Sequence, residues 1–556
     1  MHGFNPAVVG AVRNYRRSDF FADLGAGLTV GIIALPLAIG FAIASGVTPQ
    51  QGLWTGIIAS VVVSLLGGSR FQIAGPTGAF VPILFSIVLV HGYAGLALAT
   101  IMGGVMLVIA GAFRMGGLLK FFPYPVVAGF TSGIAVIIFC GQLNEFLGLG
   151  LKMPGHVPQQ IAVLAQNIHA LSWQAFAVGA VTLATMYGWP RLTKKIPASI
   201  VAVLVATLVA HLAGWSVATI GTRFGGIPRG LPGLHFPPIS LELMLDLMGP
   251  AFTVAALGAI ESLLSAMVAD GMTDTRHNPN QELLAQGIAN ILCPLAGGIT
   301  ATGAVARTAA NIRSGAHTPI SGIIHALVLL IAIFLAAPWA GYIPLAALSA
   351  ILLTVALRMA EWHTFIELWR GPRADFGVLV AAFTLTVVFD LTVGVAAGLI
   401  MAAILFLRQM EEITHVRLVT SESEDPGTGS HSIRGKDIPS DVILYRIEGP
   451  MFFAAAEKLD MALRGSGGKP RVVVFRMRTV PAMDASGLHA FKVAIEKLQR
   501  DGIEIFLTAV QPQPMKVMFE SGLVERIGLE HFCADIDQAL AAIGVTSSSG
   551  ALQSKK

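Results

Sequence analysis

The stretch "QIAGPTGAFVP", residues 72–82, returns in altered form as "GGITATGAVAR", residues 297–307. Both carry Thr-Gly-Ala, at Thr77-Gly78-Ala79 and at Thr302-Gly303-Ala304, and both lead from an irregular stretch into an apolar run. The chain around them has 556 residues, of which 54% are hydrophobic and only 12% charged, with a mean hydropathy of +0.72. Soluble domains carry about 25% charged residues, so most of this chain is not a soluble fold. Apolar runs recur between residues 22 and 407, and their length predicts a polytopic α-helical membrane protein.

Fourteen candidate spans can be drawn, near 22–46, 50–67, 76–91, 94–113, 124–143, 172–190, 197–213, 247–270, 281–297, 302–314, 317–337, 343–359, 374–389 and 391–408. The third and tenth fall short of the roughly 20 residues a full crossing needs. These two are the spans that the Thr-Gly-Ala phrases open. One phrase opens the third span of the first seven and the other the third span of the second seven. Because seven is odd, the halves have opposite topology. Inverted repeats with interrupted helices are the mark of many secondary transporters.

The physics of such a break points to an anion. A helix that starts inside the bilayer leaves its first N–H groups unpaired, and two such ends facing each other gather partial positive charge. Gly78, Ala79, Gly303 and Ala304 let a ligand approach the backbone. Thr77 and Thr302 add hydroxyl donors, and Arg307 adds a full charge about one turn into the second short helix.

Span eight, "GPAFTVAALGAIESLLSAMVADG", places Glu261 near its centre. A charged carboxylate there is costly unless it is paired, which makes it a functional candidate. It could take a proton from one side of the membrane and release it on the other. Ser265 lies one turn away on the same face. A structural pairing of Glu261 with Arg307 is the plainer alternative and is compatible with the first.

Orientation follows from the basic residues. With Arg13, Arg16 and Arg17 inside, the loops on that side hold Arg70, Arg114, Lys120, Arg191, Lys194, Lys195, Arg276, Arg313, Arg358, Arg370 and Arg373. The opposite loops hold chiefly Lys152, Arg223 and Arg229. This asymmetry places both termini in the cytoplasm. The amino-terminal segment is basic and amphipathic, and does not read as a cleaved signal peptide.

Four regions follow: a transport domain over 1–412, a polar Gly/Ser-rich linker over 413–440, a soluble domain over 441–545 and a disordered tail over 546–556. Strands at 442–449, 471–478 and 503–510 alternate with helices near 455–464, 486–502, 514–521 and 535–543, so the soluble domain is α/β. The three cysteines have no metal spacing, and neither a metal nor a cofactor is expected. A net charge of +4 needs no nucleic acid to explain it. The dispersed histidines, His325 among them, read as interfacial residues. No nucleophile–base pair is assembled, which argues against an enzyme.

The phrases "RFQIAGPTGAF" and "GAIESLLSAMVADGMTDTRHNPNQELLAQGIANILCPLAGGITATGAVARTAAN", with "AMDASGLHAF" near the carboxyl end, resemble the SulP family, that of sulfate permeases and prestin. The resemblance spans nearly the whole chain. It implies a seven-plus-seven inverted repeat divided into a core (spans 1–4 and 8–11) and a gate (spans 5–7 and 12–14), a cytoplasmic STAS domain of unknown partner, dimerisation, and elevator-like transport of an anion. Carried over residue by residue, it places Phe41, Thr77 to Ala79, Thr302 to Ala304 and Arg307 at the substrate, and Glu261 at the coupling site. Within the family, "GAIESLL", "GGITAT" and "GPMFFAAAE" are most similar to bacterial C4-dicarboxylate carriers of the inner membrane. That likeness implies proton symport of succinate, fumarate or aspartate. Sodium-coupled bicarbonate carriers have Asp and Thr where this chain has Glu261 and Ser265, which favours protons. Carriage of sulfate or bicarbonate, and an anion channel, are the alternatives. Ser486 corresponds to the serine phosphorylated in anti-sigma-factor antagonists, although the N-cap of the following helix is the simpler role for that serine.

Overall fold

The computed structural model describes residues 5–13, 15–117, 123–193, 196–228, 230, 232–389, 391–419, 433, 436, 438–452, 455–464 and 470–544. Lys120, Lys194, Lys195, Arg229, most of the 413–440 stretch and the 546–556 tail lie outside them. The chain divides into two compact units, Met1–Ala402 and Ala403–Lys556.

The first unit is helical. Its principal helices are α1 (Arg17–Ala44), α2 (Pro49–Leu66), α3 (Val81–Ala112), α4 (Tyr124–Phe146), α5 (Trp173–Leu192), α6 (Ala198–Leu212), α7 (Met248–Thr273), α8 (Pro279–Leu295), α9 (Val305–Arg313), α10 (Ile320–Ala340), α11 (Leu345–Met359), α12 (Arg373–Val388) and α13 (Leu391–Ile413), the last running on into the second unit. Every expected span is thus helical. Among the described residues, seven helices are long and apolar enough to cross a membrane by length and composition. Spans three and four fall within α3, which breaks at Gly92, where φ is 65°. Only a residue without Cβ takes that conformation freely. An amphipathic helix over Val157–Asn167 was not anticipated; it precedes α5 across a bend of 114°.

Local chemistry explains several starts. Thr48 and Gln51 form a capping box ahead of α2, with Pro49 in the first turn. The Asn278 side chain accepts the backbone N–H groups of Asn280 and Gln281 at the head of α8. Each device satisfies donors that a helix end leaves unpaired.

The packing repeats itself. α10 packs on α1 and α2, while α3 packs on α7 and α8; α12 packs on α4, while α11 packs on α5. If α7 is the counterpart of α1 and α8 that of α2, each contact in one half has its partner in the other. This is the seven-plus-seven repeat read from the sequence.

The breaks ahead of α3 and α9 differ from expectation in one respect. Their backbones pair with each other as two short antiparallel strands, β1 (Ala74–Gly75) and β2 (Thr302–Gly303), with Ala74 opposite Gly303 and Gly75 opposite Thr302. The Ala304 N–H also donates to the Ile73 carbonyl at 2.9 Å. Polar backbone inside a bilayer must be satisfied by protein or water, and here the two breaks satisfy one another.

The second unit holds a five-stranded sheet, β3 (His415–Val419), β4 (Val442–Glu448), β5 (Val472–Thr479), β6 (Glu504–Thr508) and β7 (Phe532–Cys533), in that spatial order. β3 runs antiparallel to β4 and the remaining pairs are parallel. Along β5, Val472 and Val474 enter one apolar core with Phe506 and Ile536, while Val473, Phe475 and Met477 enter another with Tyr445 and Phe491. That alternation is the period of two of a strand covered on both faces. β3 lies in the stretch read as linker, so the sheet begins earlier than the composition suggests. "HVRLV" is an alternating strand too short to stand out beside the polar run that follows.

Candidate anion site

β1 and β2 bring α3, α7 and α9 to one place. Each short helix segment, Val81–His91 and Val305–Arg313, spans about half of the ~30 Å hydrocarbon core at 1.5 Å per residue. Neither is long enough to cross it alone.

Thr77 and Glu261 meet directly: the Thr77 hydroxyl donates to Glu261 Oε2 at 2.9 Å. Both residues are only partly buried. Arg307 is 3% exposed. Its Nη2 donates to the Pro76 carbonyl at 2.6 Å, and its Nη1 has no protein acceptor. Arg307 and Glu261 are not within ion-pair distance of each other, their nearest side-chain partners being the Pro76 carbonyl and the Thr77 hydroxyl. The structural pairing that was the plainer alternative is therefore absent. The result is one open carboxylate, one open hydroxyl and one guanidinium nitrogen with a hydrogen still to give.

Gly75 permits this approach. Its φ is 152°, and a Cβ there would lie 2.7 Å from Arg307 Nη1. The Phe41 ring lies against Gly78: its Cε1 lies 3.3 Å from where a Cβ on Gly78 would be, as does Ile138 Cδ1. Phe41, Gly78 and Ala79 are buried and form an apolar wall.

The second phrase behaves differently. Thr302 is fully buried, and its hydroxyl is shared with Ser262 at 2.7 Å and with the Gly258 carbonyl at 3.1 Å. The Gly303 N–H donates to Ser262 Oγ at 3.3 Å. Thr302 is thus a brace and presents no free donor, and Gly303 and Ala304 are buried in β2 and at its end. Ser265 donates to Thr308 Oγ1 at 3.0 Å, and Thr308 accepts the Ile73 N–H at 3.1 Å. Its hydroxyl ties α7 to α9 and has no bond to Glu261. Ser486 is exposed and stands one residue after the Ala485 start of the STAS helix Ala485–Arg500, so it is not the N-cap expected of it; Asp484 is, accepting the Gly487 N–H at 2.7 Å.

Several site residues escaped the sequence reading. Gln72, the first letter of the opening phrase, is buried with neither end of its amide bonded to protein. Asn290 clasps Ala301, donating to its carbonyl and accepting its N–H, both at 2.8 Å. Ser60 donates to the Ala74 carbonyl at 2.7 Å and lies 3.0 Å from His325 Nδ1. Because the Ser60 hydrogen is given to Ala74, His325 Nδ1 must carry the proton of that second bond. His325 is fully buried, which corrects its reading as an interfacial residue. Asp23 and Glu282 are likewise fully buried. Asp23 accepts the His317 and Thr318 N–H groups at 2.8 and 3.0 Å; Glu282 accepts those of Gly68 and Ser69 at 2.9 and 3.2 Å. Each stands close to the start of a candidate span, at 22–46 and 281–297. A polar residue repeating every four positions along α8 (Glu282, Gln286, Asn290) was the available signal for that helix.

An inverted repeat of membrane helices with paired breaks, a guanidinium and a carboxylate at the crossing, and an α/β tail define a membrane transporter of anions. Residues 20–382 match the sulfate permease family and residues 436–539 match the STAS domain, and the chain belongs to that family. It is 40% identical to the putative sulfate transporter YvdB of Bacillus subtilis, covering 94% of this chain and 98% of that protein. It is 31% identical to the bicarbonate transporter BicA of a Picosynechococcus strain, covering 94% and 95%. The fold superposes on murine Slc26a9 in its inward-facing state with a TM-score of 0.85 over 98% of this chain and 94% of that one, at 18% identity. It matches the transmembrane domain of a cyanobacterial BicA with a TM-score of 0.62, at 31% identity, over 70% of this chain and 98% of that one.

Proposed function

We propose that this anion transporter is a proton-coupled importer of a small oxyanion in the bacterial inner membrane, with both termini cytoplasmic, working as a dimer by elevator-like movement of its core against its gate. The observation that carries the reading is the Thr77–Glu261 hydrogen bond beside the unpartnered Nη1 of Arg307. With Glu261 protonated, Arg307 leaves the site net positive and an anion is attracted. With Glu261 ionised, the site is neutral and the carboxylate repels the anion. Loading and unloading thereby follow the proton. Once Glu261 is protonated, its own O–H can donate to Thr77 Oγ1 and free the Thr77 hydrogen, so that Thr77 and Arg307 Nη1 are then the donors that face the anion, and Phe41, Gly78 and Ala79 limit its size.

The names of the relatives favour sulfate or bicarbonate as the oxyanion. A C4-dicarboxylate such as succinate is the second reading, favoured by the phrases "GAIESLL", "GGITAT" and "GPMFFAAAE". Uptake of labelled sulfate, bicarbonate and succinate into proteoliposomes, with and without an inward proton gradient, tests both. Saturable, gradient-driven uptake of one anion is expected, and Glu261→Gln should abolish the dependence on the gradient. Gradient-independent uptake that survives Glu261→Gln would remove Glu261 from coupling, and a sodium gradient would be the alternative driving force. Flux that does not saturate would identify a channel.

A further inference from the structure

The two described exceptions to the charge asymmetry of the loops, Lys152 and Arg223, lie on one cavity. It has a volume of about 490 Å³ and opens at the end of the transport unit where α1 finishes. Its walls all come from the first half of the repeat: Val47 and Phe85 from the α1 and α3 side, and Ile138, Gln142 and Glu145 from α4. Ile138 also faces Gly78, so the floor of the cavity adjoins the wall of the anion site.

The charges on the lining do not cancel. Arg223 Nη1 binds Glu145 Oε1 at 2.8 Å, which fastens the short helix Ile220–Phe224 to α4 and leaves that pair neutral. Lys152 is exposed and has no carboxylate within ion-pair distance among the described residues. Gln160, 3% exposed and also on the lining, donates its amide to the Pro154 carbonyl at 2.9 Å and holds the loop that carries Lys152. The cavity thus carries one uncompensated positive charge between low-dielectric walls, an arrangement that concentrates anions.

We propose that this cavity is an anion-collecting vestibule on the outer face, in which Lys152 supplies the attracting charge for a small oxyanion and the Arg223–Glu145 pair is a neutral brace. The inference rests on the orientation and anion transport argued above. Lys152 acts before binding: it raises the local anion concentration and so the capture rate, and takes no part in the proton step. Its influence fades as salt shortens the Debye length from about 30 Å at 0.01 M to about 3 Å at 1 M.

The experiment uses the full-length chain with a cysteine reporter on the lining, Met153→Cys, and Gly155→Cys as a second reporter should the first fail to fold. The native Cys140, Cys293 and Cys533 are buried. Membrane-impermeant thiosulfonates, one bearing a sulfonate and one a quaternary ammonium, are applied from either side of the membrane. The ratio of anionic to cationic reaction rates reads the local potential, whatever the substrate proves to be. At low salt, Lys152→Gln should lower that ratio about fivefold and Lys152→Glu further, and 1 M salt should erase the difference. A ratio indifferent to Lys152 overturns the proposal, and so does labelling only from the cytoplasmic side. In the uptake assay, Lys152→Gln should raise the KM at low salt and leave kcat unchanged; an unchanged KM overturns the capture role. If no anion is taken up by the native protein while the reporter ratio still depends on Lys152, the substrate reading fails and the charged vestibule stands.

Discussion

The two Thr-Gly-Ala segments are related by the repeat, pair with each other strand to strand, and do opposite work. Thr77 keeps its hydroxyl on Glu261 in a partly open position. Thr302 is fully buried, its hydroxyl engaged by Ser262 and Gly258. The strands are also braced differently. β1 is held through Ser60 and His325 at one carbonyl, and the residue before β2 is held by Asn290 at both its N–H and its carbonyl. A duplicated motif in this protein has become one half with a partly open hydroxyl beside a carboxylate and one half whose hydroxyl is buried as a brace. Arg307 joins them, since it stands in the second half and grips Pro76 of the first.

The braces break this comparison most sharply. Asn290→Ala strips two buried backbone groups of their partner and should cost about 3 kcal/mol, while Ser60→Ala strips one and should cost about half as much. Thermal unfolding of the solubilised protein checks the ratio, and equal losses would show that the two strands are held alike. The threonines come next. Thr302→Val should destabilise by about 2 kcal/mol. Thr77→Val should leave the unfolding temperature nearly unchanged and lower uptake about tenfold, the size of one hydrogen bond to a charged group. If Thr302→Val is stable and inactive, both hydroxyls face the ligand and the division of labour is wrong. The smallest effect is expected at His325. His325→Asn keeps an N–H donor near the Nδ1 position and should recover most of the roughly 1 kcal/mol lost in His325→Ala. Failure of the asparagine to rescue would mean that the ring's volume, and not its bond to Ser60, supports β1.

The membrane class, the helical spans, the inverted halves and the α/β tail were legible in the sequence. Each depends on a pattern that a window of residues carries by itself: apolar length, a repeated phrase at matching span numbers, strand-like runs alternating with helical ones after residue 441. Thr77, Glu261 and Arg307 were legible too, because a charge or hydroxyl inside an apolar run is locally conspicuous. Their partners were not. Whether Glu261 bonds Thr77 or Arg307, whether Ser265 faces the site or Thr308, and that His325 reaches Ser60 across 265 positions depend on which helix faces come together. Local sequence leaves that open, since hydroxyls of equal chemistry stand at several turns of α7. Only the packing of α3, α7 and α9 around the β1–β2 pair decides which hydroxyl is used as a brace and which is left to meet an anion.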